Sequence, residues 1–238
     1  MATLIFDIET VGEDFDTFDE MSQNVLTKWI RQESEEGSKT YEASLEDVKK
    51  STGLSPLTGH IVAIGMYDGE RTKGAVYFDS LPEKEKANFE EDEYRFECMT
   101  EEKMLEKFWE VAKKYDTFVT FNGRSFDVPF LMVRSAVHGI KPSKNLLSNR
   151  YMNYQSENAK HIDLFDQLTF YGALRRKGSL HLWCRAFGIE SPKEEGIGGE
   201  DVGTLFAQGK SKEIARYNAR DVKATYALYM KYAQFLRF

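Results

Sequence analysis

The tightest constraint on this chain is its opening run, Thr3 to Thr10, an apolar stretch that nevertheless carries two carboxylates, Asp7 and Glu9. A run of this kind reads as a buried first strand. Side chains two apart on a strand point to the same face, so both acids share one face of it. At about 4 Å in an effective dielectric of 20, two like charges repel by roughly 4 kcal/mol. Such a pair reaches solvent at the strand end, takes up protons, or binds cations.

The next strands read over Ile61–Tyr67 and Gly74–Phe78, joined as a hairpin by a DGERTKG turn. The polar insertion before them, about residues 11–59, carries one amphipathic helix marked by Val25, Leu26, Trp29 and Ile30. After a charged stretch at 83–97, the spacing of Met104, Leu105, Phe108, Trp109 and Ala112 predicts a helix over about 101–115. A strand is expected over Thr117–Phe121, then a helix with Pro129 in its first turn and Gly139 at its end. His161–Phe165 reads as a further strand, and a long helix runs from Lys212. With 238 residues, 41% of them hydrophobic, and no repeat or composition break, residues 1–238 are expected to form one domain with the 11–59 insertion. The succession suits an α/β fold with a mixed five-stranded sheet flanked by helices, ribonuclease-H-like in layout.

Two further acids stand where chemistry is conceivable. On the last helix, Tyr217 and Asp221 are four apart and share a face that is otherwise apolar, with Ile214, Val222, Thr225 and Leu228. Asp221 there requires a partner: Arg216, Arg220 or a cation. In FNGRSFDVPFL, Asn122 enters a turn and Asp127 precedes a helix start, a position that also suits a plain N-cap.

FDIET, NGRSFD and YNARD occur in the order and rough spacing of the DEDD exonuclease superfamily. Tyr217-x-x-x-Asp221 resembles its tyrosine-type branch, similar to free-standing relatives of the family B DNA polymerase proofreading exonuclease. The likeness spans residues 4 to about 230. It implies that Asp7, Glu9, Asp127 and Asp221 hold two divalent ions, Mg2+ or Mn2+, around the scissile phosphate, while Tyr217 orients the attacking water. Hard cations prefer carboxylate oxygen, and two of them about 3.5–4 Å apart stabilise the entering and leaving oxygens of an in-line displacement. With an ordinary pKa near 10, a tyrosine positions water better than it deprotonates it. The same likeness implies that Thr10, Asn122 and Phe126 contact the terminal nucleotides, Phe126 by stacking. Asp163, on the later strand, is equally a structural hydrogen-bond acceptor and is left outside the metal set.

A net charge of −7 is unusual for a chain that grips nucleic acid. Much of the acidic excess sits in EEDE at 90–93 and ESEEG at 33–37, whereas Arg175, Arg176 and Lys177 form a basic cluster. Tyr151 and Tyr154 beside Arg150 add a stacking candidate, and EEGIGGEDV at 194–202 a flexible loop. Two distant cysteines suggest neither a disulfide nor zinc. No run approaches a membrane span or a signal peptide, so a soluble, intracellular, cytoplasmic protein is expected. The expected activity is 3′–5′ exonuclease hydrolysis of single-stranded nucleic acid, DNA favoured over RNA, releasing nucleoside monophosphates, with any polymerase or repair partner a separate protein. The alternatives are an exoribonuclease and a non-catalytic binding module.

Overall fold

Alternation along the first strand sets the layers. In β1 (Thr3–Gly12), Ile5 joins one hydrophobic cluster while Leu4, Phe6 and Ile8 join another on the opposite side. The computed structural model describes residues 2–80, 88–191 and 198–237. β1 pairs antiparallel with β2 (Gly59–Asp68), which pairs antiparallel with β3 (Lys73–Phe78). On its other side β1 runs parallel to β6 (Thr117–Thr120), and β6 runs parallel to β7 (Lys160–Asp163).

These five strands, in the order β3-β2-β1-β6-β7, are the expected ribonuclease-H-like core, but the sheet has seven strands. β5 (Tyr94–Cys98) pairs parallel with β3, and β4 (Phe89–Glu91) closes that edge. Both lie in the stretch that reads only as charged, whose residues 83–87 fall outside those described. The period-two signal is present there: Tyr94 and Phe96 point inward while Arg95 is exposed. Charges on the outer face suit an edge strand, because they discourage pairing with another sheet.

Helices cover both faces. α3 (Glu101–Ala112) and α4 (Asp127–Val137) pack Met104, Leu105, Phe108, Val128 and Leu131 onto the Leu4 side. α8 (Ser211–Phe235) packs Ile214, Val222 and Leu228 onto the Ile5 side. The insertion folds as two helices rather than one, α1 (Glu20–Glu33) and α2 (Lys39–Ser51), around Phe15, Ile30, Tyr41 and Val48. Ser38 caps α2, its hydroxyl accepting from the Tyr41 N–H, within a segment too polar for an apolar stripe to stand out. α5 (Leu164–Leu168) begins where the sequence predicts a longer strand, because the Asp163 carboxylate accepts from the Phe165 N–H and caps it. α6 (Leu180–Ala186) and α7 (Val202–Ala207) lead into α8. Of the expected flexible loop, residues 194–197 fall outside those described, and Gly199–Asp201 form a 3-10 turn. Among the described residues no helix is long and apolar enough to cross a membrane.

Gly65 of β2 marks the closest approach of α8 to the sheet. A Cβ there would lie 2.2 Å from Asn218 Oδ1 and 2.9 Å from Val222 Cγ2. Both neighbours are fully buried and have nowhere to move. Gly65→Ala is therefore expected to cost about 1–3 kcal/mol of stability. The check is a lower urea midpoint at an unchanged slope.

Candidate active site

The sheet leaves part of β1 uncovered. β6 pairs with Thr3, Leu4 and Ile5 and no further, so the strand projects past its neighbour from Phe6 onward. Ile8 N–H, lacking a ladder partner on that side, donates to Asp127 Oδ1 at 3.0 Å. The first turn of α4 is thereby fastened to β1, and Asp127 is held beside Asp7 and Glu9. A register shift between Glu9 and Thr10 ends the regular pairing with β2 just past the acids.

α8 delivers the remaining groups. Oxygens of Asp7, Glu9 and Asp221 lie within 4.8 Å of one another. The Tyr217 hydroxyl, one helical turn before Asp221, donates to that carboxylate. Asn218, fully buried, donates from Nδ2 to Asp7 Oδ2 at 2.8 Å and lies over Gly65, the residue opposite Asp7 in the ladder. Sequence reasoning passes over Asn218. A polar residue inside YNARD, on the helix face that packs against the sheet, is the signal available.

The electrostatics follow from crowding. Burial, then repulsion from Asp127, Glu9 and Asp221, holds Asp7 well above the usual carboxylate range, opposed by the Asn218 amide. Burial and the charges of Asp221 and Asp127 raise Glu9 in the same way. Asp127 is pushed up to about 7, chiefly by burial, with the Ile8 N–H pulling the other way. Burial first, and Asp221 next, raise the Tyr217 phenol, which stays protonated at neutral pH.

Beside the acids lies a cleft of about 430 Å³ bordered by Asp7, Asp221, Asn122, Phe121, Phe165 and Lys177. Asn122 has φ +65°, and its N–H and that of Arg124 donate to the two oxygens of Asp163 at 2.8 and 2.9 Å. Asp163 thus holds the turn that carries Asn122, the structural role open to it. The edges of Phe121 and Phe165 meet at 5.7 Å between centroids, and Lys177 Nζ lies 5.5 Å from the Phe165 ring. Neither phenylalanine stands out in the sequence, because an aromatic at the end of a strand or the start of a helix looks like core. Thr10 and Phe126 do not border this cleft. The Thr10 hydroxyl donates to Gly53 O at 2.7 Å, tying the insertion to β1, and Phe126 packs on Phe130 at 5.5 Å.

The donor set fits hard divalent cations: it is all carboxylate oxygen, crowded beyond what water or hydrogen bonds neutralise. Residues 60–237 match the family described as "Predicted 3′-5′ exonuclease related to the exonuclease domain of PolB". The chain belongs to this family. This PolB-exonuclease relative is 30% identical over 138 residues to the DNA polymerase epsilon catalytic protein of Emericella nidulans, covering 56% of the chain and 6% of that protein. It is 29% identical over 145 residues to a DNA polymerase of Desulfurococcus sp. (strain Tok), 54% of the chain and 18% of the polymerase. An uncharacterized protein of Methanocaldococcus jannaschii matches along most of its length: 29% identity over 189 residues, 76% of the chain and 89% of that protein. The chain thus spans a small part of the polymerases and nearly all of the archaeal protein. The structure of the family B DNA polymerase from Pyrobaculum calidifontis superposes over 99% of the chain and 25% of the polymerase, with a TM-score of 0.61 and 18% identity, a likeness of fold.

For this PolB-exonuclease relative, the raised carboxyl groups make the metal-free fold pH-sensitive in a defined sense. Between the ordinary carboxylate range, near about 4, and about 7 at Asp127, the folded chain binds more protons than the unfolded one. Their contribution is complete below that window and is lost as pH rises through it. In a chelator, the urea midpoint is expected to fall as pH rises from about 4 to about 7. Magnesium should abolish the fall, and a midpoint independent of pH in the chelator would contradict this account.

Proposed function

We propose that this protein is a 3′–5′ exonuclease that hydrolyses the terminal phosphodiester of single-stranded DNA and releases nucleoside monophosphates. The observation that carries the proposal is the gathering of Asp7, Glu9 and Asp221 within 4.8 Å, next to Asp127 and opening on a cleft. Family membership supports the 3′–5′ exonuclease activity. The preference for DNA rests on the DNA polymerases among its relatives.

In this reading Asp7, Glu9, Asp127 and Asp221 hold two divalent ions, magnesium or manganese. When bound, the ions neutralise the phosphate and stabilise the entering and leaving oxygens. The residues of the chain do the rest. Asn218 holds one oxygen of Asp7, which leaves the other for the ligand sphere and sets the carboxylate's rotation. Tyr217 keeps its proton and, anchored on Asp221, is a hydrogen-bonding group that orients the attacking water rather than a base. This pairing is what assigns the chain to the tyrosine-type branch. Asn122, displayed by its left-handed turn, contacts the terminal nucleotides, with Lys177 beside the phosphates. We further propose that the whole chain is one domain and that any polymerase it serves is a separate protein.

Asp7→Ala and Asp221→Ala are each expected to lower nucleotide release by at least about a hundredfold with the fold retained. Denaturing gels of end-labelled single strands in magnesium, together with circular dichroism, provide the check. Undiminished cleavage by folded, contaminant-free Asp7→Ala protein would sink the assignment. A blocking group on the 3′ end should protect the strand, whereas digestion that proceeds from the 5′ end would refute the polarity.

A further inference from the structure

A second surface lies along α8 from the acids. Tyr232 follows Asp221 by eleven residues, three turns and about 16 Å of helix axis, so the two side chains lie along one stripe of the helix. There Tyr151, Phe170, Tyr171 and Tyr232, with Lys160 and Arg237, line a groove of about 470 Å³. Its rings are not core residues that happen to reach the surface: Tyr151, Tyr154 and Phe170 are 52%, 76% and 53% exposed. The rings of Tyr151 and Tyr171 stand 4.9 Å apart. The Arg150 guanidinium, paired with Asp166 at 2.6 Å, lies 5.9 Å from the Tyr171 ring. Phe170 and Tyr171 are both held at left-handed φ, +50° and +55°, a strain that side chains of this size rarely accept. The Gln167 amide, donating to the Tyr171 hydroxyl at 2.9 Å, helps to keep Tyr171 there. Such strain concentrates where ligands bind.

One continuous segment joins groove to cleft. Phe170 and Tyr171 line the groove, and Lys177 and Ser179 line the cleft. Six residues of chain, Tyr171 to Lys177, reach at most about 20 Å. Exposed between them are Arg175 and Arg176. Among the described residues, Arg175, Arg176, Lys177 and Arg237 have no acidic partner, so an acidic protein presents uncompensated positive charge along this one path. Open aromatic faces interleaved with cations match the chemistry of an unpaired strand, whose bases stack on rings without regard to sequence while its phosphates follow the charges.

We propose that this groove is a second nucleic-acid subsite, in which Tyr151, Tyr154, Phe170 and Tyr171 stack the bases of a single-stranded DNA several nucleotides back from the end in the cleft. The proposal rests on the reading of the cleft as a DNA exonuclease centre. Its signature is an affinity that depends on strand length.

Fluorescence anisotropy in calcium, with a single strand of about 16 nucleotides and with a trinucleotide, measures that dependence for the wild type, Tyr151→Ala, Phe170→Ala and Tyr151→Phe. Each alanine variant should bind the long strand about tenfold more weakly and the trinucleotide as the wild type does, and Tyr151→Phe should retain the affinity. Hydrolysis of p-nitrophenyl thymidine 5′-phosphate in magnesium, which needs only the cleft, should be unchanged in all of them. Alanine variants that bind the long strand like the wild type, or that lose the long strand and the trinucleotide equally, overturn the proposal. A wild type that cleaves neither this ester nor any strand defeats the exonuclease reading instead, while the anisotropy series still decides the groove.

Discussion

Four carboxylates brought to one place in a partly desolvated setting oppose the fold that gathers them. Each additional acid raises the proton affinity of the others, as seen at Asp7, Glu9 and Asp127. That repulsion is tolerated because the surrounding structure over-determines the positions. β1 is locked into the sheet on both sides below the acids, α4 is fastened through the Ile8–Asp127 hydrogen bond, and α8 is pressed onto Gly65. A scaffold that holds like charges together without relaxing is, in effect, preorganised for a multiply charged counter-ion.

The shape of the sheet explains why the opening is where it is. β1 outruns β6, and the chain leaves β6 through a turn whose geometry is dictated by Asp163 at the end of the next strand. Phe121, Asn122 and Phe165 therefore border the same hollow as Asp7 and Asp221. Helices pack on both faces of the sheet, but past Ile5 nothing pairs with β1 on the β6 side. The cleft is the direct result of unequal strand lengths.

Much of this arrangement is legible in the residues alone, for identifiable reasons. The period of two in β1 puts Asp7 and Glu9 on one face, and the spacing of four puts Tyr217 beside Asp221. Those are local rules, and the grouping of the three acids follows once α8 packs on the sheet. What escapes depends on partners distant in the chain. β4 and β5 alternate correctly, but their outward charges hide the alternation, and only pairing to β3 makes strands of them. In the insertion, α2 is held by Tyr41 and Val48 against α1, a contact invisible in so polar a segment. Asn218 looks like an ordinary helix residue because its role consists of one bond to a side chain 211 positions away.

That separation governs the order of assembly. The bond between Asn218 and Asp7 joins the first strand to the last long helix, so the carboxylate centre is not complete until α8 has docked on a sheet already formed. A nascent chain carries its opening acids from the start of synthesis without possessing a centre. Fraying of α8 would likewise remove Tyr217, Asn218 and Asp221 together and leave the sheet standing, which makes the docking of one helix the switch between an assembled centre and a scattering of ordinary surface acids.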